Sequence, residues 1–323
     1  MNCNKCQDKA VIKLQHGSLC KKHFIDYFES KVFQTINKFE LIRRDDKVCV
    51  AASGGKDSLS ALYLTKKYFL KYNIPLQNLN ALIINEGIYG YREKTLQDLQ
   101  DFCKDQDINL KILSFKEFYG KDLDQAYPII NKITGKKPCN ICGVWRRQLI
   151  NIGARELGAT KLVTGHNLDD ESQVVLMNMF KANVKISAKL GPMSGISNHE
   201  NFVRRVKPLY LCSEKETRLY ALLKKWKVEF TECPYVTESY RAEVREMLNN
   251  MEEKYPGTKT GIINSFLDTL PLLKEKFKDD KNNHQTTNKP NVCEICSEPT
   301  NKKVCNACEL KKIIINNDTT KTK

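Results

Sequence analysis

Thirteen cysteines and one Ser-Gly-Gly-Lys-Asp-Ser hexapeptide carry most of the chemistry this 323-residue chain offers. Cys3-x2-Cys6 and Cys20-x2-His23 lie near its start, and Cys293-x2-Cys296 and Cys305-x2-Cys308 near its end. Two close pairs separated by a loop can wrap one tetrahedral Zn²⁺, with three thiolates and an imidazole in the first set and four thiolates in the second. His16, inside the first loop, is an alternative fourth ligand. Cys49, Cys103, Cys139, Cys142, Cys212 and Cys233 remain. Cys49, Cys103 and Cys212 fit interior positions as small apolar residues. Cys139-x2-Cys142 reads as a redox pair, half a zinc site or half an iron–sulfur site, and Cys233 is held on a turn by Pro234. The hexapeptide Ser53-Gly54-Gly55-Lys56-Asp57-Ser58 follows Ala52. Its small residues let backbone N–H groups approach an anion, and Lys56 adds a full positive charge.

These groups need elements to hold them. Val48, Val50, Ala51 and Ala52 read as a buried strand, and Leu59, Ala61, Leu62 and Leu64 open a helix, so the hexapeptide is a strand-to-helix turn. Its spacing excludes the G-x-x-x-x-G-K-[ST] pattern. Helix 58–72, strand 79–85, helix 93–106 and strand 110–114 follow, and this βαβαβ order predicts an α/β, doubly wound parallel sheet with ligands at the strand C-terminal ends. Asn85 and Glu86 stand at such an end, where they either read adenine or ribose or form a simple turn.

Cys139 and Cys142 open a helix running to about Leu157, a position that lowers thiol pKa values. Arg146, four residues on, shares a face with Cys142 and can meet a phosphate or cover a charged surface. Strand 160–164 leads to Gly165-His166-Asn167-Leu168-Asp169-Asp170-Glu171, a second glycine turn entering a helix. Its three acids complement the helix dipole, or serve Mg²⁺ or acid–base work. His166 is a buried hydrogen-bonding group or a nucleotide contact. Residues 183–205 look irregular. Helices are expected near 214–226, 240–252 and 258–278.

The organisation follows: 1–26 a zinc finger, 27–45 a linker helix, 46–278 the catalytic body, 279–291 a linker, 292–312 a zinc ribbon and 313–323 a disordered tail. The formal net charge is +15, from 53 Lys+Arg against 38 Asp+Glu, which favours a polyanionic partner, nucleic acid first. No apolar run reaches the ~20 residues that span a bilayer, so no membrane role is expected. Paired cysteines of metal-ligand spacing, with no signal peptide, point to a reducing, cytoplasmic setting.

The turn SGGKDS resembles the SGGxDS loop of the PP-loop ATP pyrophosphatases, which have a PP-loop/HUP-like core. With the finger, PCNICGVWRR, GHNLDDE, TECPY and the ribbon in that order, nearly the whole chain resembles the TtuA/NcsA-type tRNA 2-thiouridine synthetases. The resemblance implies a 4Fe-4S cluster on Cys139, Cys142 and Cys233, with one iron left open for sulfide. It implies ATP and Mg²⁺ at Ala52, Ser53, Gly54, Gly55, Lys56, Asp57, Ser58, Arg146 and Gly165. It also implies adenylation of a uridine C2 oxygen, then sulfur transfer, with Asp57, Cys142, Arg146, Asp170 and Cys233 as the working residues. Asp169 is the alternative to Asp170. Family members often carry Asp-Glu-Gly where this chain has Asn85-Glu86-Gly87, so no essential carboxylate is expected at position 85.

The implied partners are tRNA, a sulfur donor (sulfide or a ubiquitin-like thiocarboxylate protein) and a second copy in a homodimer. The target is the wobble uridine, with T-loop uridine as the alternative. TtcA-type cytidine 2-thiolation, a clusterless persulfide route and a non-enzymatic zinc-ribbon RNA-binding protein are the competing readings. The leading one requires Asp57 and Cys142 to face a single cleft.

Overall fold

The computed structural model describes residues 1–195, 201–227, 233–235, 240–278 and 291–319. Thr231 and Glu232 of the TECPY stretch, most of the expected 279–291 linker and residues 320–323 lie outside the described residues.

The chain opens with an antiparallel hairpin, β1 (Ile12–Leu14) and β2 (Gly17–Leu19), and runs into α1 (Lys21–Lys38). The helix starts immediately after Cys20 and carries His23, so no boundary falls at residue 26. Phe24, Phe28, Val32, Phe33 and Ile36 follow one helical stripe and are buried, which seats the finger on the body. Fully burying each such side chain stabilises by about 1.5–3 kcal/mol.

The body alternates β3 (Val48–Ala51), α2 (Lys56–Lys71), β4 (Leu79–Asn85), α3 (Arg92–Asp105) and β5 (Asn109–Ser114). Next come α4 (Phe115–Tyr119), α5 (Leu123–Thr134), α6 (Pro138–Glu156), β6 (Lys161–Thr164), α7 (Leu168–Phe180), α8 (Val184–Ser187) and β7 (Arg204–Val206). Among the described residues the central sheet has the order β5-β4-β3-β6-β7 with every pair parallel. The chain leaves β3 toward one edge and returns to place β6 on its other side. The topological switch therefore lies between β3 and β6, where a doubly wound sheet opens its ligand crevice. Both glycine turns, after β3 and after β6, open there.

Helix α9 (Glu214–Leu223) packs on α2 and α1, and two further helices, α10 (Tyr240–Lys254) and α11 (Thr258–Lys278), pack on α7. The ribbon contains β8 (Asn291–Val292) and β9 (Pro299–Thr300), then α12 (Asn306–Thr319). The tail expected to be disordered from 313 is helical through 319. Leu310 and Ile314, four residues apart, are buried in one apolar cluster with Ala126, Ile130 and Trp145 of α5 and α6. That burial supplies what the polar composition of the tail conceals.

Candidate active site and metal centres

The hexapeptide turn is closed by its own serines. The Ser53 N–H donates to Ser58 Oγ (3.1 Å), and Ser58 Oγ donates to the Gly55 carbonyl (2.9 Å). Gly54 has φ +86°, and a Cβ there would stand 2.7 Å from the Thr95 carbonyl. Glycine is thus required both by conformation and by the close approach of α3. Gly55 caps α2 without a side-chain hydrogen bond, which leaves the first helical N–H groups facing the crevice for an anion. Lys56 Nζ lies 2.9 Å from Asp57 Oδ2 and 2.9 Å from Glu214 Oε1. Burial pushes the lysine pKa down, but the two carboxylates outweigh it and hold the ammonium charged.

Asp57 Oδ1 accepts from Thr217 Oγ1 (2.6 Å) and Asn167 Nδ2 (3.2 Å). The two glycine turns touch: a Cβ on Gly165 would lie 2.8 Å from the Ser58 nitrogen. The structure thereby brings Ala52 through Ser58, Gly165 and Asn167 to one place, and Thr217 joins the site without a sequence signal of its own.

The two candidate aspartates separate. Asp169 is buried, pairs with Lys259 and accepts the Glu214 N–H at 2.8 Å, so its oxygens are committed to structure. Asp170 closes a capping box with Asn167 and accepts from Arg241 Nη2 at 2.7 Å. Burial raises the Asp170 pKa to about 6, against the lowering effect of Arg241. A carboxyl titrating near neutrality suits acid–base work. His166 is open to solvent at the crevice mouth and bonded to Thr164 Oγ1 at 2.9 Å. Desolvation and then the positive charges of Lys207, Arg241, Arg205 and Arg146 push its pKa down.

Helix α6 leads into β6 and so runs against the strands. Its first turn stands at the strand C-terminal edge, with Cys139 and Cys142. Cys139 Sγ donates to the Tyr235 carbonyl at 3.1 Å, which draws the Cys233-Pro234-Tyr235 turn onto α6. Burial raises the Cys142 pKa to about 12, with Arg146 opposing and Glu86 and Cys233 adding to it. Cys233 is raised as well, first by burial and further by Cys139 and Glu86. The lowered thiol expected of a helix N-terminus is therefore corrected for Cys142, because desolvation outweighs the dipole.

Cys139 touches the Cys233–Tyr235 turn, and charge on Cys233 is felt at Cys142, so the three thiols lie in one neighbourhood, and an all-thiol donor set suits an iron–sulfur cluster. Arg146 Nη1 lies 3.7 Å from Glu86 Oε1, and Arg92 Nε lies 2.6 Å from Glu86 Oε2. Arg92 Nη1 donates to the Ser53 carbonyl at 3.0 Å. A continuous path thus joins the loop that opens α2 to the helix that carries Cys142. Glu86 is 1% exposed and its carboxylate faces arginines, which corrects the reading of Glu86 as a nucleotide reader. Asn85 Oδ1 accepts the Gly87 N–H (2.9 Å), as a simple turn does.

Among the described residues, two sets place four ligand atoms within 4.8 Å of one another: Cys3, Cys6, Cys20 and His23, and Cys293, Cys296, Cys305 and Cys308. In the first, the thiols stand 3.4–3.5 Å from His23 Nδ1, and Cys6 and Cys20 are 3.6 Å apart. A tetrahedron with metal–sulfur arms of ~2.3 Å has edges of roughly 3.8 Å, so both groups have the dimensions of a Zn²⁺ site. His16 packs against Tyr27 instead of joining the set.

The ribbon docks on the rear of α6. Gln148 Nε2 donates to Cys296 Sγ (3.2 Å), Trp145 Nε1 donates to the Ala307 carbonyl (3.3 Å), and Asn151 Nδ2 donates to Glu298 Oε2 (2.6 Å). No sequence signal pointed to these contacts. No helix among the described residues is long and apolar enough to cross a membrane.

Comparison with known proteins places the chain among others. The family model described as a PP-loop domain matches residues 26–251. The tRNA-5-methyluridine(54) 2-sulfurtransferase of Pyrococcus horikoshii is 35% identical over 96% of this chain and 93% of its own length. Cytoplasmic tRNA 2-thiolation protein 1 of Drosophila erecta is 36% identical over 96% and 87%. Among solved structures, the U34-tRNA thiolase NcsA of Methanococcus maripaludis with its 4Fe-4S cluster matches at TM-score 0.78. It is 34% identical and covers 97% of this chain and 96% of that one.

Proposed function

This chain belongs to the PP-loop family that includes the NcsA-type tRNA 2-thiolation proteins, and from that premise we infer that it is an ATP-dependent tRNA uridine 2-thiolase. The observation that carries this reading is the shared crevice. The Ser53–Ser58 loop and the Cys139/Cys142/Cys233 wall are joined through Arg92, Glu86 and Arg146. An anion-binding helix start and a thiol cluster on one crevice suit a reaction that activates oxygen with phosphate and replaces it with sulfur.

The loop N–H groups and Lys56 hold the ATP phosphates, and Asp57 orients the nucleotide or its Mg²⁺. The uridine C2 oxygen attacks the α-phosphate, the bond to pyrophosphate breaks, and AMP becomes the leaving group that a carbonyl oxygen is not. Arg146 stabilises the phosphate charge, and Asp170, with its raised pKa, moves the proton. Cys139, Cys142 and Cys233 would hold a 4Fe-4S cluster, which would supply a site for binding the sulfur that replaces AMP. Zn²⁺ in the finger and in the ribbon is structural. Excess positive charge grips the tRNA backbone, and the target base leaves its stack to reach the crevice.

The protein works in the cytoplasm as a homodimer and takes sulfur from sulfide or a ubiquitin-like thiocarboxylate protein. The target is the wobble uridine, supported by the similarity to the U34 thiolase along nearly its full length. A T-loop target is the second reading, favoured by the name of the Pyrococcus relative. Mass mapping of thiolated nucleosides in tRNA from a deletion strain separates them. Loss of 2-thiouridine at position 34 is expected. Loss at position 54 instead moves the target to the T-loop, loss of 2-thiocytidine favours the TtcA-type reaction, and an unchanged profile overturns the enzyme reading.

A further inference from the structure

Glu86 and Arg92 form a buried ion pair that the proposed chemistry leaves without a role. Their relative exposures are 1% and 3%. Arg92 Nε and Glu86 Oε2 are 2.6 Å apart but off the line of the N–H, so charge rather than a hydrogen bond dominates the pair. Such a pair is weak evidence for stability, because desolvating both ions offsets most of their attraction. What it can provide is position, and each partner is firmly mounted. The Glu86 carbonyl accepts the Leu123 N–H at the start of α5 (2.8 Å). Arg92 opens α3 and donates to Thr95 Oγ1 (3.2 Å), and the Thr95 carbonyl is the group packed against Gly54.

The free ends of the pair reach two different half-sites. Arg92 Nη1 holds the Ser53 carbonyl at 3.0 Å, in the turn that would receive the phosphates. The second Glu86 oxygen faces Arg146 Nη1 at 3.7 Å, a charge contact longer than a hydrogen bond, on the helix of Cys139 and Cys142. The Arg146 side chain is 48% exposed. Glu86 therefore aims this guanidinium without immobilising it, and an incoming anion can take it over. Among the described residues, Glu86 is the acid that both arginines share.

We propose that Glu86 and Arg92 are positioning residues, a strut that registers the Ser53–Ser58 turn against Arg146 and the cysteine wall, so that nucleotide bound at the turn is transmitted to the sulfur-handling side. The proposal rests on the functional reading above, and deepens it.

The test uses full-length, anaerobically purified protein, a non-hydrolysable ATP analogue and unmodified tRNA. E86Q keeps the shape and removes the charge. R92K keeps the charge but cannot span Glu86 and the Ser53 carbonyl with one planar fork. In both variants the analogue is expected to bind about tenfold or more weakly. At saturating ATP, single-turnover 2-thiouridine formation is expected to fall a further ~100-fold, a loss of the order seen when one preorganised charge contact goes. The wild-type iron–sulfur visible circular dichroism should change when analogue is added, and the change should be absent in both variants at saturation. Should E86Q not fold, R92K carries the test. Wild-type affinity, rate and spectral response in R92K overturn the strut. If wild-type protein forms no 2-thiouridine, the functional reading fails, and analogue affinity still decides whether the pair holds the turn.

Discussion

The finger and the ribbon use nearly the same ligand arithmetic, yet they address opposite halves of the crevice. From the finger, α1 runs against α9. Lys31 Nζ lies 2.9 Å from Glu216, Tyr220 donates to Glu29 Oε1 at 2.8 Å, and the Phe28 and Tyr220 rings stand 4.7 Å apart. The next contacts of α9 are Thr217 to Asp57 and Glu214 to Lys56. From the ribbon, the route to the crevice among the described residues is α6: Trp145, Gln148, Asn151 and Arg155 meet the ribbon, which also packs on α5, while Cys139, Cys142 and Arg146 meet the crevice. One module steadies the Ser53–Ser58 turn and the other the helix of Cys139 and Cys142. Two modules too small to build cores of their own thus act as external braces, the finger through α9 and α2 and the ribbon through α6 and α5.

The largest expected effect comes from breaking the ribbon. Cys305→Ser should release its metal, unfasten α6 and reduce 2-thiouridine formation by about 100-fold or more, as loss of a ligand exceeds loss of a supporting contact. ATP-analogue affinity should fall much less, through Arg146 alone, since the Ser53–Ser58 turn is held by α9 as well. Metal analysis, nucleotide titration and thiolation on one preparation check this. Equal losses on both sides would erase the distinction between the modules.

Lys31→Met breaks the other brace. It leaves Glu216, nearly buried, without its cation, and should destabilise the protein by about 3 kcal/mol in thermal or urea unfolding. Here nucleotide affinity should weaken while metal content of the ribbon holds. A variant with intact nucleotide affinity and a disturbed ribbon would invert the assignment.

Asp170→Asn gives the smallest and sharpest signal. The folded protein keeps the Asp170 proton up to about pH 6, above the ordinary value of 3.8. The folded state thus binds more protons in that window, and this group's contribution to stability falls as pH rises from the lower value through the higher. The asparagine variant should lose that slope. If Asp170 takes the proton, wild-type turnover should rise with pH through about 6, and the variant's profile should lose this limb. An unchanged profile would remove Asp170 from proton transfer.

What could be read in advance follows from how local each signal is. The hexapeptide, the ligand spacings and the parallel order are written within a few consecutive residues, and the sheet and both four-ligand groups match those expectations. Glu86 was ambiguous because its meaning depends on Arg146, sixty residues away, and on the fold-back of Arg92. β7 is a three-residue strand, Arg204–Val206, with no alternation to announce it. Asp169 and Asp170 look equivalent in sequence, and only Lys259 on α11 and Arg241 on α10 distinguish them. The depressed thiol expected of Cys142 overlooked burial, which depends on the whole α6 neighbourhood.

On the proposed function, the turn and the cysteine wall perform two halves of one reaction. Pyrophosphate release and 2-thiouridine formation, measured together on tRNA with wild type, Asp57→Ala and Cys142→Ala, test it most directly. Both products are expected in wild type, neither in Asp57→Ala, and pyrophosphate without 2-thiouridine in Cys142→Ala. Undiminished 2-thiouridine from Cys142→Ala, or from Asp57→Ala, would contradict it.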